Sequence, residues 1–304
     1  MTKAPRYTRR PKAVGGIRIQ KRDVEIVKLV HDYRFMDSRQ IQMLIDGSNQ
    51  VILRRLQKLF HHGYLDRPVS QIIFSNPLMG HENMVYGLGD RGADLLAERL
   101  GIDRGKIIWK EKNKEVRERY IQHTLMISNF RACLTLALRA TPEVKLLFWI
   151  RENPQELKEY VSFTENGKQR RMVIVPDGFF CIQDAGGRMY FFLEADRSTM
   201  TNTRFLNKLK AYWKWRWQKA SRGRHGIKER YGIRDFRVLT LTRGRQRRDN
   251  LTKVAERTDD QHNGSYMFWF AAEEHFSLDT PQAVLHNIWQ TAIAGDQKMR
   301  SLLE

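Results

Sequence analysis

The sequence predicts a mixed α/β (α+β) protein with two domains. Its 304 residues are more than one hydrophobic core usually serves. Apolar residues recur at helical spacing up to about residue 139, and from Val144 the period becomes that of strands. We place the domains at residues 21–105 and 106–304, after a basic flexible arm at residues 1–20.

The charge of the chain indicates an anionic partner. Lys and Arg number 54 against 34 Asp and Glu, a formal net charge of +20. An excess of this size repels itself unless a polyanion lies against it, and nucleic acid is the commonest one. A membrane surface is the weaker alternative. The sequence has neither an apolar run long enough to span a membrane nor the apolar core of a signal peptide. We therefore expect a cytoplasmic protein that binds double-stranded DNA.

Several classes of chemistry lack their residues. Cys133 and Cys181 lie in apolar segments without metal-ligand spacing, which argues against a disulfide framework and a zinc site. The sequence has no GxxxxGK[ST], no GxGxxG after a strand and no HExxH. Nucleotide hydrolysis, dinucleotide binding and zinc peptidase chemistry are therefore unsupported.

The first domain begins with three predicted helices. The first begins near Lys21, and the second is capped by Asp37 or Ser38. The third is capped by Ser48 and ends near Gly63, a residue suited to a left-handed C-terminus. A hairpin follows, with strands predicted at residues 69–75 and 84–88, and then another helix from Asp90. Three helices and a hairpin are the layout of a winged helix-turn-helix.

In that layout the N-terminal end of the third helix enters the major groove. The residues predicted to lie nearest the base edges are Asn49, Gln50, Leu53 and Arg54. Asn and Gln suit adenine edges and Arg suits guanine, whereas Arg55 and Lys58 are placed for phosphates. The alternative is a protein-contact module whose third helix is simply solvated.

The second domain is predicted as a long helix and then a sheet. The helix covers about residues 115–139, and strands are expected at residues 143–150, 170–183, 188–196 and 235–242. The segment "MFWFAAEEHFSL" predicts a closing strand, and "PQAVLHNIWQTAI" predicts a terminal helix. "DAGG" marks a turn between the second and third strands.

Three carboxylates lie near the ends of these strands. A loop centred between Ala185 and Gly186 places Asp177 opposite Glu194, and Glu194 and Asp196 share one face of their strand. Together they predict a site for a hard divalent cation such as Mg²⁺, which attracts phosphate and activates water. The alternative is an ion-pair network with Arg197, Arg170 or Arg171.

The next helix, "TNTRFLNKLKAYWKWRWQKA", carries two stripes. The stripe predicted to face the sheet is Phe205, Leu206, Leu209, Trp213 and Trp217. An adjacent stripe consists of Lys208, Tyr212, Trp215 and Lys219, and from it Lys208 can reach the carboxylates. The alternative is that Lys208 and Lys210 contact phosphates while Tyr212 only packs.

A further basic stretch, "TRGRQRRDNLTK", follows the strand at residues 235–242. Its arginines are Arg243, Arg245, Arg247 and Arg248. Flexible phosphate contacts and a mobile surface loop both agree with this composition.

An Asp follows Pro176, a hairpin comes next, and a Glu-x-charged pattern ends the following strand. This order resembles the PD-(D/E)xK core of restriction-endonuclease-like domains. "PDGFF" and "LEAD" supply the first two elements, and Asp196 stands where that core has a lysine that positions the attacking water. Lys208 and Tyr212 form a Lys-x-x-x-Tyr pair where some nucleases of this class have Gln-x-x-x-Tyr.

From about residue 21 to about residue 290, the chain also resembles the plasmid replication-relaxation family. The resemblance rests on the helical segment up to "HHGYLDR", on "VPDGFF", on "FFLEADRST" followed by "NKLKAYWKW", and on "FRVLTLTRGRQRRDNLTKVAER". It implies a DNA-binding protein of bacterial plasmids, phages or other mobile elements with a nuclease-like second domain. Glu-x-Asp looks like the family's own pattern.

Two functions remain open. In one, the protein recognises a DNA sequence in the replication, transfer or regulation of a mobile element, and the nuclease-like domain is a scaffold. In the other, it is a Mg²⁺-dependent endonuclease in which Asp177, Glu194 and Asp196 hold the ion and Lys208 stabilises the phosphate. Nicking through Tyr212 as nucleophile ranks third. Expected partners are DNA, a second copy in a homodimer, or replication and transfer proteins of the element.

Overall fold

The computed structural model describes most of the chain. The described residues are 16–73, 83–107, 116–151, 154–165, 167–198, 200–218, 226–259 and 261–304. They divide into two compact units, Met1–Ala132 and Cys133–Glu304. The mixed α/β class is confirmed. The predicted domain boundary between residues 105 and 106 and the predicted arm at residues 1–20 stay predictions, and residues 1–15 and 108–115 lie outside the described residues.

The first unit has the three predicted helices. They are α1 (Lys21–Tyr33), α2 (Ser38–Leu44) and α3 (Asn49–His61). Asp37 caps α2 by accepting from the Gln40 amide, and Ser48 caps α3 by accepting from the Val51 amide. Gly63 follows α3 with a φ of 80°, a left-handed conformation that glycine adopts without steric cost.

A small antiparallel sheet replaces the predicted hairpin. Its strands are β1 (Phe35–Asp37), β2 (Leu65–Asp66) and β3 (Val85–Leu88), in the order β1-β3-β2. The strand predicted at residues 69–75 is wrong over Val69–Ile73, which form a 3₁₀ helix, and residues 74–75 lie outside the described residues. Its Gln71 side chain accepts from the Val85 amide at 2.8 Å and donates to the Val85 carbonyl at 3.1 Å. A side-chain amide thus pairs with β3 as a strand backbone would.

Two further helices follow. They are α4 (Asp90–Leu100) and α5 (Glu118–Arg139), and the division between the compact units falls within α5. Ser128 on α5 donates to the Phe35 carbonyl at 2.7 Å. Within the described residues, no helix is both long and apolar enough to cross a membrane.

The second unit is built on a large sheet. Its strands are β4 (Lys145–Arg151), β7 (Gly178–Asp184), β8 (Gly187–Asp196), β9 (Arg237–Thr242), β10 (Gly264–Ala272), β11 (Trp289–Ile293) and β12 (Met299–Arg300). Within the described residues their order in the sheet is β12-β11-β10-β9-β8-β7-β4. Strands β8, β9 and β10 are parallel and the other pairs are antiparallel.

Two sequence predictions for this unit are corrected. The single strand predicted at residues 170–183 is divided at Val175–Asp177, because proline lacks the N–H that a ladder needs. Its first part is β6 (Lys168–Ile174), which pairs with β5 (Glu159–Glu165) in a separate two-stranded sheet. The predicted terminal helix is instead a 3₁₀ turn, Pro281–Leu285, followed by β11.

The remaining helices are α6 (Pro154–Leu157), α7 (Asn202–Trp217), α8 (Ile227–Tyr231) and α9 (Arg245–Ala255). The stripe predicted to face the sheet from α7 is wrong in part, since Trp217 is 64% exposed whereas Tyr212 and Trp215 are fully buried. Phe205 and Leu209 do face inward, with Phe192 of β8 among their core neighbours. Lys219 lies outside the described residues.

Candidate functional site

The hairpin β7–β8 has the predicted register. Gly178 pairs with Leu193 and Asp184 with Gly187, so Asp177 lies just beyond the first strand and beside the end of the second. The Asp177 amide donates to the Leu193 carbonyl at 2.9 Å, and the Ala195 amide donates to Oδ2 of Asp177 at 2.7 Å. Backbone hydrogen bonds therefore fix this carboxylate at the strand end.

Glu194 is the centre of the site. It lies on the same face of β8 as Phe192, which contacts Tyr212 and Trp215 of α7. Its side chain is nearly inaccessible, with 5% exposure. The Tyr212 hydroxyl donates to Oε1 at 2.5 Å, and the Lys208 ammonium forms an ion pair with Oε2. Because Lys208 and Tyr212 are four residues apart on α7, the helix presents both to one carboxylate. Lys208 thus reaches one of the three carboxylates, Glu194, as the helical spacing predicts.

Burial dominates the electrostatics here. It raises the pKa of Glu194 to about 7, the charge of Lys208 opposes the rise, and the nearby Asp177 adds to it. Burial and then the charge of Glu194 hold the pKa of the Tyr212 phenol well above its ordinary value. A phenol kept neutral in this way is a weak nucleophile, which counts against nicking through Tyr212.

Asp196 lies on the same strand face as Glu194 but bonds to a different helix. Nη2 of Arg247, on α9, donates to its Oδ2 at 2.8 Å, and Nε donates to Oδ1 at 3.3 Å. Arg247 also donates to Oδ1 of Asn202 at 2.8 Å and to the Met200 carbonyl at 2.7 Å. Asp196 and Arg247 therefore connect β8, α9 and the beginning of α7.

The ion pairs of Glu194 and Asp196 thus come from Lys208 and Arg247, which the sequence-based alternative of a network did not name. Arg197 acts on a different acid, Glu273, whose pKa is raised by burial and lowered to a smaller extent by the charge of Arg197. The carboxylates are neutralised by basic side chains, as the predicted ion-pair network requires, but those side chains are not the arginines that were predicted.

The carboxylates do not fit a Mg²⁺ shell as they are arranged. Both oxygens of Glu194 accept from side chains, both oxygens of Asp196 accept from Arg247, and Oδ2 of Asp177 accepts from a backbone amide. Among the described residues, no group of three or more His, Cys, Asp or Glu side chains is arranged to hold a metal ion. Lys208 and Arg247 supply the positive charge that a metal would supply. The ligand set Asp177, Glu194 and Asp196 stays a prediction.

Helix α3 separates its residues into two faces. Its buried face is Ile52, Leu56, Leu59 and Phe60. The residues predicted to contact base edges, and the predicted phosphate contact Lys58, are all exposed: Asn49, Gln50, Leu53, Arg54 and Lys58. The N-terminal half of α3 therefore presents amides and a guanidinium to solvent.

Arg55 is placed differently from its prediction. Its side chain is only 12% exposed and forms an ion pair with the fully buried Asp23 of α1. It also donates to the Arg18 carbonyl at 3.2 Å, while the Gln20 amide donates to Asp23 at 2.8 Å. Arg55 therefore joins α3 to α1 within the first unit instead of facing solvent. The sequence offered no signal for this, because Asp23 looks like an ordinary first-turn acid.

The four arginines after β9 also differ from one another. Arg243 and Arg245 are exposed, and Arg245 pairs with Glu274, whose carboxylate also accepts the Arg245 amide at the start of α9. Arg247 bonds Asp196, and Arg248 bonds Asp249. Arg243 and Arg245 are thus the members of this group that solvent reaches best.

A second buried glutamate, Glu159, was not predicted from the sequence. It pairs with Arg230, and the Tyr231 hydroxyl donates to it at 3.4 Å. Burial raises the pKa of Glu159 to about 7, against the charge of Arg230. A carboxylate, a cation and a phenol therefore meet here as they do at Glu194. The partners are too distant in sequence for spacing to reveal them.

Comparisons with known proteins give one match. A family model described as replication-relaxation matches residues 27–231, which is more than half of the chain. A comparison with curated proteins gave no match. A comparison with solved structures gave none either.

Proposed function

The chain belongs to the replication-relaxation family, and we propose that it is a sequence-recognising DNA-binding protein. Membership indicates a role in the replication or transfer of a plasmid or other mobile element. In this proposal the first unit acts as a winged helix-turn-helix, and the second is a nuclease-like scaffold for DNA or for other replication and transfer proteins.

The observation that carries the proposal is the solvent face of α3. Asn49, Gln50 and Arg54 are exposed in its first two turns, opposite an apolar face that is fully buried. Amide and guanidinium groups are the ones that make paired hydrogen bonds to adenine and guanine edges. Lys58 extends the exposed row by one turn, where a phosphate contact is expected. The net charge of +20 supplies the long-range attraction.

Single substitutions on α3 test this proposal. A preferred site would be selected from random duplex DNA, and affinities for it and for unrelated duplex would be measured over a range of salt concentrations. Arg54→Ala should weaken binding to the preferred site by roughly 5- to 150-fold and relax the preference at one base. Lys58→Ala should weaken binding to both duplexes alike and reduce the salt slope by about 1.

Arg99→Ala is the matched control, because Arg99 is an exposed arginine on α4, 61% accessible and beside Glu98. It should leave both affinities nearly unchanged. Equal losses on the preferred and unrelated duplexes with Arg54→Ala would overturn its role in reading bases. A palindromic preferred site would support binding as a homodimer, to be measured by light scattering of the complex.

A Mg²⁺-dependent endonuclease is the second candidate. It is favoured by the buried Glu194 beside Asp177, because a carboxylate with a raised pKa at a strand end is typical of functional sites. It ranks second because Lys208, Tyr212 and Arg247 occupy the carboxylates as arranged. Plasmid DNA incubated with Mg²⁺ or Mn²⁺ tests it. Cleavage by the wild-type protein that is lost in both Asp177→Ala and Glu194→Ala would support an endonuclease. If the wild-type protein binds all of the DNA but leaves it uncut, the scaffold is favoured.

A further inference from the structure

The outer face of α7 is unusually aromatic and basic. Trp217 is 64% exposed on the last turn, and Trp213, one turn earlier, contacts it edge to face with ring centroids 6.4 Å apart. Lys210 and Lys214 lie on the same side at i and i+4, with Trp217 at i+7. The Arg216 guanidinium lies over the Trp217 ring, 5.2 Å from its centroid. Tryptophan is mostly buried in folded proteins, so an exposed indole beside a second indole and several cations is a candidate contact for an external partner.

The β5–β6 hairpin lies beside the end of α7. Tyr160, 37% exposed, has Arg171 4.6 Å and Lys158 5.1 Å from its ring centroid. Gln218 follows Trp217 directly, and its side chain accepts from the Ser162 amide at 3.4 Å and donates to the Tyr160 carbonyl at 3.5 Å. The last turn of α7 is thus held at the edge of β5. Two exposed rings with cations beside each therefore belong to one part of the second unit.

We propose that this surface, defined by Tyr160, Arg171, Lys214 and Trp217, binds single-stranded DNA. Unpaired bases offer their faces to aromatic rings, and cations beside the rings contact the phosphates. In duplex DNA the base faces are already stacked, so an exposed indole on a helix surface gains little from it. This contact is separate from the duplex contact proposed for α3, and replication and transfer of DNA both pass through single strands.

The full-length chain and a fluorescein-labelled oligothymidine, which forms no duplex, test the proposal by fluorescence anisotropy. Trp217→Ala should weaken binding about tenfold, because one base loses its stacking partner. Trp217→Phe should recover most of the affinity. Lys214→Ala should lower the salt slope by about 0.7, the value for one phosphate contact on a single strand.

Two controls test whether the loss of affinity is specific to this surface. Tyr266 is another exposed aromatic residue of the same unit, 59% accessible and with the guanidinium of Arg300 over its ring. Tyr266→Ala should leave the affinity for oligothymidine unchanged. Arg54→Ala should weaken duplex binding while leaving oligothymidine binding intact, so this proposal and the proposal for α3 fail independently. Circular dichroism verifies that each variant is folded.

Three outcomes would overturn the proposal. If Trp217→Ala binds oligothymidine as tightly as the wild-type protein does, the indole would instead be assigned to another class of partner, such as a protein. An equal loss with Tyr266→Ala would mean that stacking is not specific to this surface. Equal losses of duplex and single-strand binding with Trp217→Ala would mean that the surface does not select unpaired bases.

Discussion

Replacing Glu194 with glutamine should remove a pH-dependent loss of stability from the second unit, so that the stability of the variant relative to wild type rises with pH. Glu194 is buried, and this burial raises its pKa from 4.5 to about 7, opposed by the charge of Lys208. Between these two pH values the folded protein keeps a proton that the unfolded chain releases. The contribution of the protonated Glu194 to the free energy of unfolding is therefore fully present below the unfolded-state pKa, and it is lost as the pH rises towards the folded-state pKa. Glutamine has no proton to lose, so Glu194→Gln escapes this loss.

The magnitude follows from the two pKa values. A shift of one pKa unit corresponds to about 1.4 kcal/mol, so Glu194 costs the folded state about 1 kcal/mol at pH 5 and about 3 kcal/mol at pH 8. The stability of Glu194→Gln relative to wild type should therefore rise by about 2 kcal/mol between pH 5 and pH 8. Groups that titrate identically in both proteins, including Glu159, cancel in this difference.

Urea unfolding at a series of pH values measures the difference. Tryptophan fluorescence reports on the second unit, because every tryptophan except Trp109 lies in it. Glu143→Gln, at an exposed position before β4, is the control and should show a flat difference. A flat difference for Glu194→Gln as well would refute the reasoning, since Glu194 would then be ionised in the folded state as readily as in the unfolded chain.

Two further predictions concern the first unit. Arg55→Ala should lower the free energy of unfolding of this unit by about 3 to 5 kcal/mol in chemical denaturation, because the substitution leaves the Asp23 carboxylate buried without its cation. Lys58 is nearby and exposed, so Lys58→Ala should lower it by under about 0.5 kcal/mol. Equal effects of the two substitutions would contradict the buried ion pair. Gly92→Ala on α4 should destabilise by about 1 to 3 kcal/mol in the same assay, because the added Cβ would clash with the Tyr64 carbonyl. A gain, as expected for alanine in an open helix, would contradict that close approach.

The sequence predicted best those elements that depend on near neighbours in the chain. Helices α2 and α3 follow the N-cap residues Asp37 and Ser48, whose side chains accept from amides three residues further on. The register of β7 and β8 follows from a turn at Ala185–Gly186 that both strands share. Chain connectivity alone thus places Asp177 beside the end of β8, without help from any tertiary contact.

The predictions failed where a distant partner decides the outcome. Val69–Ile73 look like a strand, yet the Gln71 side chain provides the pairing with β3, which propensity does not anticipate. On α7, hydrophobicity favoured Trp217 as an inward residue over Tyr212, but Tyr212 is drawn inward by the carboxylate of Glu194. The hydrogen bond to a buried acid on another element thus accompanies an orientation of the helix that hydrophobicity alone did not predict.

The pairing of charges within the second unit favours a scaffold over a catalyst. Glu194 with Lys208 and Tyr212 joins β8 to α7, and Glu159 with Arg230 and Tyr231 joins β5 to α8. Each group is a complete set of acid, cation and phenol, in which removing one partner leaves a buried charge uncompensated. Cations engaged in this way hold elements together and are poorly placed for phosphates, so in our proposals the binding of a polyanion falls to the exposed row on α3 and to the surface around Trp217 on α7. If that division is correct, DNA affinity and stability should respond to different sets of basic residues.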